Sequence, residues 1–441
     1  MDVITMVEPA PVQSLRQPWS PLARIAFRFC FVYFGLYCVL TQIILSILII
    51  PKVDWSDPGT LAPIRAVVFW VGAHVFRLST PLVYSGSGSG DKYFDWVLVF
   101  CILACALIAA AVWSAIDRKR QDYATLQKWF RLFLRFCLGS QMLVYGGVKA
   151  VPLQMHYPFL FVQTEPFGNL SPMGVLWASI GASPAYETFA GCAELLGGFL
   201  LMFPRTVVLG ALVCLADLTQ IFVLNMTYDV PVKQFSFHLI LISLLILAPN
   251  FKRLSNFFFL NRPVEAPQRT PLFSTPRAER IATACIAFLW LWMIGNNVYG
   301  AWDGWRQYGS GAPRPPLYGI WNIEDYSVDN QPHPLLVTEA QQWRRIIFDF
   351  PDSAMVQRMD ESSSGYGAKL DLHANTLSLT DRKDKKWKAS FTFTRPAPDR
   401  LTLDGAINGQ KTAMQLRLLD HSKFQLNSRG FHWIQDYPYN R

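Results

Sequence analysis

The sequence predicts an α-helical polytopic membrane bundle of about seven transmembrane helices, with the N-terminus inside and the C-terminus outside, followed by a soluble antiparallel β domain. The first observation is composition: 51% of the 441 residues are hydrophobic and only 16% are charged, a balance typical of membrane proteins. The second is distribution, because the long apolar runs lie before about Trp302. We therefore expect a helical transmembrane domain over residues 1–302 and an extracytoplasmic β-rich domain over 303–441.

Seven apolar runs approach the length of about 20 residues that crosses the hydrocarbon of a bilayer. The sixth is the shortest of them. A further segment, Pro63–Leu78, is interrupted by Arg65, His74 and Arg77, and is predicted to be a helix lying on the outer surface. The seven runs are Ile25–Ile50, Phe94–Ile116, Leu132–Val151, Tyr186–Phe203, Val207–Leu224, Phe235–Leu247 and Ile281–Val298.

Basic residues cluster in two of the connections, between the second and third runs and between the sixth and seventh. Basic connections stay on the cytoplasmic side, so this pattern predicts a protein integral to the cell (inner) membrane with its C-terminal domain outside the cytoplasm. The same distribution explains the net charge of +9 without a nucleic-acid partner, because the basic residues form no patch interleaved with stacking aromatics. The lipid bilayer is the predicted partner.

Motifs for tightly bound groups are missing from the sequence. The eight cysteines all lie in apolar segments without a CxxC pair, and no HExxH motif occurs, so no metal site is predicted. The Gly-rich stretch 85–91 has no lysine-serine pair of the kind that binds nucleotide phosphates. It is predicted to be a flexible turn in which Asp91 or Asp95 caps the helix that follows.

Ionisable and polar side chains recur inside the apolar runs, where each charge costs on the order of 3 kcal/mol. Lys149, Glu194 and Asp217 are the candidate catalytic residues, and we expect them to line a polar cavity open to the outer side. Alternatively, Lys149 pairs with Glu194 or Asp217 and the polar groups only set the helix register. The candidate substrate-binding residues are Gln141, Tyr145, Glu187, Asn225, His238 and Asp91.

The tail after the boundary at Gly309–Pro316 shows the period-two alternation of half-buried strands. Turns are predicted at Asp404-Gly405, Asn408-Gly409 and Arg395-Pro396, and the expected result is an antiparallel meander or small barrel. The alternating apolar positions are Leu370 with Leu372, Leu377 with Leu379, Trp387 with Ala389, Phe391 and Phe393, Leu401 with Leu403, and Met414 with Leu416 and Leu418.

Two strings, RFCLGSQMLVYGGVKAVP from Arg135 and FAGCAELLGGFLLMFPRT from Phe189, resemble the DoxX/DoxD-like membrane family over residues 131–260. The resemblance implies quinone-coupled oxidation, with a quinone as the cofactor or substrate. A more distant similarity runs to the horizontal-transmembrane and vitamin K-dependent carboxylase group, in which a lysine acts as a base on a hydroquinone; here that lysine corresponds to Lys149. In the tail, Gly319-Ile320-Trp321 resembles the opening of a lipocalin-like barrel.

These observations leave two functional hypotheses open. In the first, the chain is a quinone-linked oxidoreductase or a subunit of one, with Lys149 as base, Glu194 and Asp217 as counter-charge and proton relay, and Tyr145 and His238 orienting the ligand. Because no flavin, haem or iron–sulfur pattern is evident, this role calls for a redox partner subunit or direct transfer from substrate to quinone. In the second, the helices are a non-enzymatic anchor or scaffold whose outer β domain binds a partner or lipid. A transporter ranks last, because no internal repeat is visible.

Overall fold

The computed structural model describes residues 18–48, 50, 53, 55–264 and 271–440. The chain divides into two compact units, and it passes between them three times. The first unit comprises Met1–Gly146 and Ala193–Val298, and the second comprises Gly147–Cys192 and Tyr299–Arg441.

The first unit is helical, and three of its helices continue into the second unit. Within the described residues, five helices are long and apolar enough to cross a membrane, which agrees with a membrane protein. The described helices are α1 (Pro21–Leu40), α2 (Gln42–Leu48), α3 (Ala62–His74), α4 (Tyr93–Ile116), α5 (Ala124–Ala150), α6 (Leu160–Thr164), α7 (Pro172–Gly181), α8 (Pro184–Met202), α9 (Val207–Thr227), α10 (Lys233–Leu247), α11 (Phe251–Phe258), α12 (Pro276–Gln307) and α13 (Gln425–Ser428).

The five apolar helices are α1, α4, α9, α12 and the continuous segment formed by α10 with α11. The other two predicted spans correspond to α5 and α8, which carry Lys149, Glu187 and Glu194. Helix α5 is long enough to cross a bilayer, and Leu134, Cys137, Leu138 and Met142 are buried along it. A helix enclosed by others has little need of an apolar surface, so seven spans stay a prediction that the structure accommodates.

The helix bounds differ from the predicted runs at three places, since α5 begins eight residues before Leu132 and α12 extends beyond both ends of the predicted Ile281–Val298. The first apolar run is divided at Thr41 into α1 and α2, and the Thr41 hydroxyl donates to the Tyr37 carbonyl at 2.7 Å. The segment predicted to be a surface helix over Pro63–Leu78 forms the helix α3, Ala62–His74, and its place on the outer surface stays a prediction. At the start of α4, the Asp95 carboxylate accepts the Lys92 amide at 3.0 Å, so the predicted cap of this helix is confirmed for Asp95. The sequence also predicts a linker over the Pro-rich stretch Pro263–Pro276 between the sixth and seventh runs, and its residues 265–270 lie outside the described residues.

The second unit contains a closed antiparallel barrel of eight strands. Sequential strands pair with one another, and the first strand closes the barrel by pairing with both β3 and β9. The two-residue β2 extends from the end of β1. The strands are β1 (Gly319–Val328), β2 (Gln331–Pro332), β3 (Trp343–Phe350), β4 (Ser353–Arg358), β5 (Ser363–Asp371), β6 (Thr376–Asp381), β7 (Lys388–Ala397), β8 (Arg400–Ile407) and β9 (Gln410–Leu419).

Large side chains pack inside this barrel. Trp321, Phe391 and Leu403 are among the fully or almost fully buried side chains of its core, as expected for a barrel of eight strands. The predicted alternation is confirmed along β6 to β9, whereas Leu372 lies beyond the end of β5 and is 55% exposed. The barrel predicted from the tail is therefore present, and its interior is filled with side chains.

One of the three predicted turns is confirmed. Asn408 and Gly409 have positive φ angles of 51° and 86° and join β8 to β9 as a two-residue hairpin. The prediction of a turn at Asp404-Gly405 is wrong, because both residues pair with β7 inside β8. The prediction at Arg395-Pro396 is also wrong, because these residues lie in an irregularity of β7 just before the turn into β8.

The first strand begins at a glycine that the backbone requires. Gly319 has a φ of +141°, and a Cβ at this position would collide with the Leu418 side chain. Two residues later, Trp321 is fully buried and its indole N–H donates to the Leu317 carbonyl at 2.8 Å. The Arg395 guanidinium lies 5.6 Å from the centre of the Trp321 ring. The Gly-x-Trp pattern therefore has a structural cause at both ends.

Within the second unit, the connection between α5 and α8 packs on the outside of the barrel. Leu160 of α6 forms a small buried cluster with Ile320 and Ile347. The Asp349 carboxylate accepts the backbone amides of Leu160 and Phe161, each at 3.1 Å, and so caps α6. These contacts attach the barrel to a segment that is covalently joined to two long helices.

Candidate functional site

Helices α5, α8 and α9 approach one another closely at two consecutive glycines of α8. A Cβ on Gly198 would lie 3.2 Å from the Met142 Cβ of α5, and one on Gly197 would lie 2.7 Å from the Cys214 Sγ of α9. Glycines let helix backbones come this near because no side chain intervenes. These contacts fix the relative heights of the three helices.

The fixed heights place three candidate residues at one level. Glu194 lies one turn before Gly198 on α8, while Tyr145 and Asp217 lie about one turn after Met142 and Cys214. Because α8 runs opposite to α9 and α5, and a helix rises 1.5 Å per residue, all three residues lie roughly 5 Å from the glycine contacts on the same side. We call Tyr145, Glu194 and Asp217 the polar layer.

The members of the polar layer differ in exposure. Glu194 is buried, with 2% of its surface exposed, whereas Tyr145 and Asp217 are partly buried. The Tyr145 hydroxyl accepts a hydrogen bond from the Gln42 side-chain amide of α2 at 2.8 Å. An acid inside a helical bundle is costly, so burial of Glu194 indicates a specific role in structure or chemistry.

Two further candidates lie one or more turns beyond the layer. Lys149 follows Tyr145 by one turn of α5 and is buried. Glu187 of α8 is fully buried, and its Oε1 accepts the backbone amides of Gln154 and Met155 at 3.2 and 2.9 Å. Its Oε2 is buried without a hydrogen-bond partner among the described residues. Glu187 therefore binds the backbone that follows α5 through Oε1, and its Oε2 is available to accept a further hydrogen bond.

Gln141 lies one turn before Tyr145 on α5 and is 1% exposed. Its side-chain amide donates to the Ser140 hydroxyl at 3.3 Å. Its Oε1 is buried, and no hydrogen-bond donor reaches it within the described part of the chain. A buried amide oxygen without a donor is costly, and a bound hydroxyl group would satisfy it.

His238 is held on both ring nitrogens. Its Nδ1 lies 2.7 Å from the Gln234 carbonyl, which only accepts, so Nδ1 carries the proton in the neutral ring. Its Nε2 then accepts from the Tyr33 hydroxyl at 2.8 Å. The imidazole also stacks on the Tyr37 ring with centroids 3.9 Å apart. Sequence reasoning did not select Tyr33 and Tyr37, whose one-turn spacing on α1 is the signal that identifies this face.

The remaining two candidates make contacts with α10. Asp91 accepts the backbone amides of Lys233 at 2.7 Å and Gln234 at 3.0 Å, and so caps the first turn of α10 rather than of α4. Asn225 of α9 donates from its side-chain amide to the Ser236 hydroxyl at 3.1 Å. The candidates thus form two sets, one along α5 and α8 with the polar layer, and one around the first half of α10.

Comparisons with known proteins do not assign a function to this site. The chain is similar to the uncharacterized protein YwoB of Bacillus subtilis (strain 168), with 29% identity over 148 residues, which is 32% of this chain and 85% of that protein. No protein-family profile matches the chain, and no solved structure matches it. The function is therefore argued from the geometry of the site.

Proposed function

We propose that the helical unit spans a membrane and binds a quinone-class molecule beside the polar layer, as a quinone-linked oxidoreductase or a subunit of one. The observation that carries the proposal is the layer itself. In it, Glu194, Asp217 and Tyr145 lie at one level along three helices in contact. Placing two carboxylates at one depth in a helical bundle costs several kcal/mol. Fixing the register of the helices requires fewer ionisable groups than this layer contains.

The residues present fit the two ends of such a molecule. A quinone offers two carbonyl acceptors on an apolar ring, and supplies two-electron redox chemistry when bound. The Lys149 ammonium and the Tyr145 hydroxyl are donors for a carbonyl oxygen, and Lys149 is the candidate base. The Oε1 of Gln141, which no donor among the described residues reaches, is an acceptor for the hydroxyl of the reduced form. Glu194 and Asp217 are the groups that take up or release a proton at this level.

The test is a binding titration of the full chain in detergent with a short-chain quinone. The substitution Lys149→Met removes a donor to the carbonyl oxygen and is expected to raise the Kd at least tenfold, because a hydrogen bond from a charged group contributes about 1.5–3 kcal/mol. Lys119→Met, which changes an exposed lysine in the α4–α5 connection, is the matched control. Equal Kd values for the two variants would contradict the proposed role of Lys149.

We further propose that the protein is integral to the inner membrane with the barrel outside the cytoplasm. The basic α4–α5 connection supports this orientation. The barrel and the α5–α8 connection pack together in one unit. The four long segments between them in the sequence are α8, α9, α10 with α11, and α12, and an even number of crossings returns the chain to the same side of the membrane. Alkaline phosphatase fused after the barrel is expected to be active in intact cells. An inactive fusion would indicate the opposite orientation, with the barrel in the cytoplasm.

A second candidate function is a membrane anchor whose barrel binds a partner or lipid. It is supported by the attachment of the barrel to the α5–α8 connection through Leu160 and Asp349. Because large side chains fill the barrel core, its outer surface is the expected binding face. Extraction of the purified protein with organic solvent separates the two candidate functions. A ligand whose retention depends on the helical residues favours the first function, and a ligand whose retention depends only on the barrel favours the second.

A further inference from the structure

A cavity of about 350 Å³ lies within the first unit, among the beginnings of α1 and α5 and the end of α10. Its walls are mainly apolar and include Phe27, Phe130, Leu134 and Leu245. The backbone amide of Trp19 donates to the Gln121 carbonyl at 3.0 Å, which ties the start of α1 to the chain entering α5. This cavity is separate from the polar layer, and none of the candidate residues lines it.

One cationic side chain lines this mainly apolar cavity. Arg131 lines it, and its Nη2 donates to the Ile246 carbonyl at 3.1 Å near the end of α10. Its Nε is buried and has no hydrogen-bond partner among the described residues. Gln127, one turn earlier on α5, is the other polar side chain with hydrogen-bonding groups in the lining, and none of the described lining residues is acidic. A partly buried guanidinium whose buried Nε has no acceptor among the described residues favours an anionic ligand.

The surrounding charge has the same sign. The segments 19–30 and 115–135, which enter and flank the cavity, contain eight arginines and lysines and only two aspartates. The aspartates are engaged: Asp122 accepts the Ala124 amide at 3.0 Å and Asp117 accepts the Tyr123 hydroxyl at 2.8 Å. A surplus of positive charge at the end of a membrane helix attracts anionic lipid headgroups.

We propose that this cavity binds an anionic phospholipid of the leaflet that faces the basic α4–α5 connection. The phosphate accepts a hydrogen bond from Arg131, and an acyl chain fills the space between Phe27, Phe130 and Leu245. The apolar walls select a lipid over a free phosphate ion, because an ion leaves them unfilled. The charge at Arg131 selects an anionic headgroup over a zwitterionic one.

The experiment is native mass spectrometry of the full chain, delipidated in mild detergent and titrated with phosphatidylglycerol or phosphatidylcholine of identical chains. The wild type is expected to bind one phosphatidylglycerol roughly fivefold more tightly than phosphatidylcholine, because both lipids carry the phosphate but the choline ammonium cancels the net attraction to a basic residue, which is about 1 kcal/mol per Arg or Lys. Arg131→Gln removes that preference, whereas Arg118→Gln, at an exposed arginine of the same connection, keeps it. A preference that survives Arg131→Gln overturns the proposal.

A second variant tests the acyl chain without disturbing the bond from Arg131 to α10. Ala26→Phe places a ring in the cavity and is expected to weaken both lipids at least tenfold, whereas Leu22→Phe, at a residue of α1 that is 76% exposed and outside the lining, leaves them unchanged. Equal binding by the two variants overturns the lipid assignment. Competition by inorganic phosphate as effective as that of the lipid would also overturn it, and would indicate a simple anion site.

Discussion

Replacement of Asp349 by alanine tests how the barrel holds the α5–α8 connection. The Asp349 carboxylate accepts the amides of Leu160 and Phe161 at 3.1 Å, and Leu160 is 2% exposed. The substitution leaves both amides without their acceptor. The two hydrogen bonds to the carboxylate contribute about 1.5–3 kcal/mol each, and burial, which raises the pKa of Asp349, offsets part of that gain. We therefore expect a loss of about 2 kcal/mol.

Amide hydrogen exchange of the full chain in detergent measures this loss at the two amides themselves. A loss of about 2 kcal/mol lowers the protection of Leu160 and Phe161 roughly thirtyfold, because 1.4 kcal/mol is tenfold in an equilibrium constant. Asp352→Asn, at an exposed aspartate in the β3–β4 turn, is the control and leaves protection unchanged. Unaltered protection in Asp349→Ala would refute the capping role, and equal losses in both variants would indicate general destabilisation of the barrel.

Three further predictions concern other contacts. Gly405→Ala places a Cβ 2.7 Å from the Phe391 Cα and is expected to destabilise the barrel by about 2 kcal/mol. Gly409→Ala strains only the positive φ and is expected to cost about 1 kcal/mol. Denaturant unfolding that ranks the two variants the other way would contradict this prediction. Burial lowers the pKa of His156, so the folded state favours the neutral ring. The contribution of His156 to stability is complete above pH about 6.5 and is lost as the pH falls from there through the lowered pKa of the folded state. His156→Gln is therefore expected to flatten the decline of Tm with falling pH. Asp91→Ala uncaps α10 and is expected to reduce exchange protection at the Lys233 amide about tenfold; unchanged protection would leave Asp91 without its structural role.

The helices were predictable because apolar length is a strong signal, and the break in the first run has a local cause. The bounds of α4, α8 and α9 lie within three residues of the predicted runs. The break between α1 and α2 was missed because Thr41 is a single polar residue in an apolar run, and its hydroxyl takes the Tyr37 carbonyl. Apolar length does not report where a helix is interrupted.

In the barrel, alternation identified β6 to β9 but missed β3. Ile346 and Ile347 are consecutive and both buried, because one points into the barrel and the other packs on Leu160 outside it. A strand buried on both faces shows no period of two. The docking of the α5–α8 connection therefore concealed the strand on which it depends.

The polar layer was partly predictable, since the cost of burial marks Glu194 and Asp217 without any knowledge of packing. Their common level with Tyr145 follows from the contacts of Gly197 and Gly198, which a sequence motif alone does not supply. The partners of His238 come from α1, far away in the sequence. Which helices pack together is a tertiary property, so this set was not predictable.

The most direct test of the central claim is mass spectrometry of the organic extract from the full chain purified in mild detergent, beside the double variant Lys149→Met with Glu194→Gln. We expect a quinone-class molecule to co-purify with the wild type and to be lost from the variant, while both proteins elute identically as folded species. Equal amounts of quinone in the two preparations, or none in either, would contradict a quinone site at the polar layer.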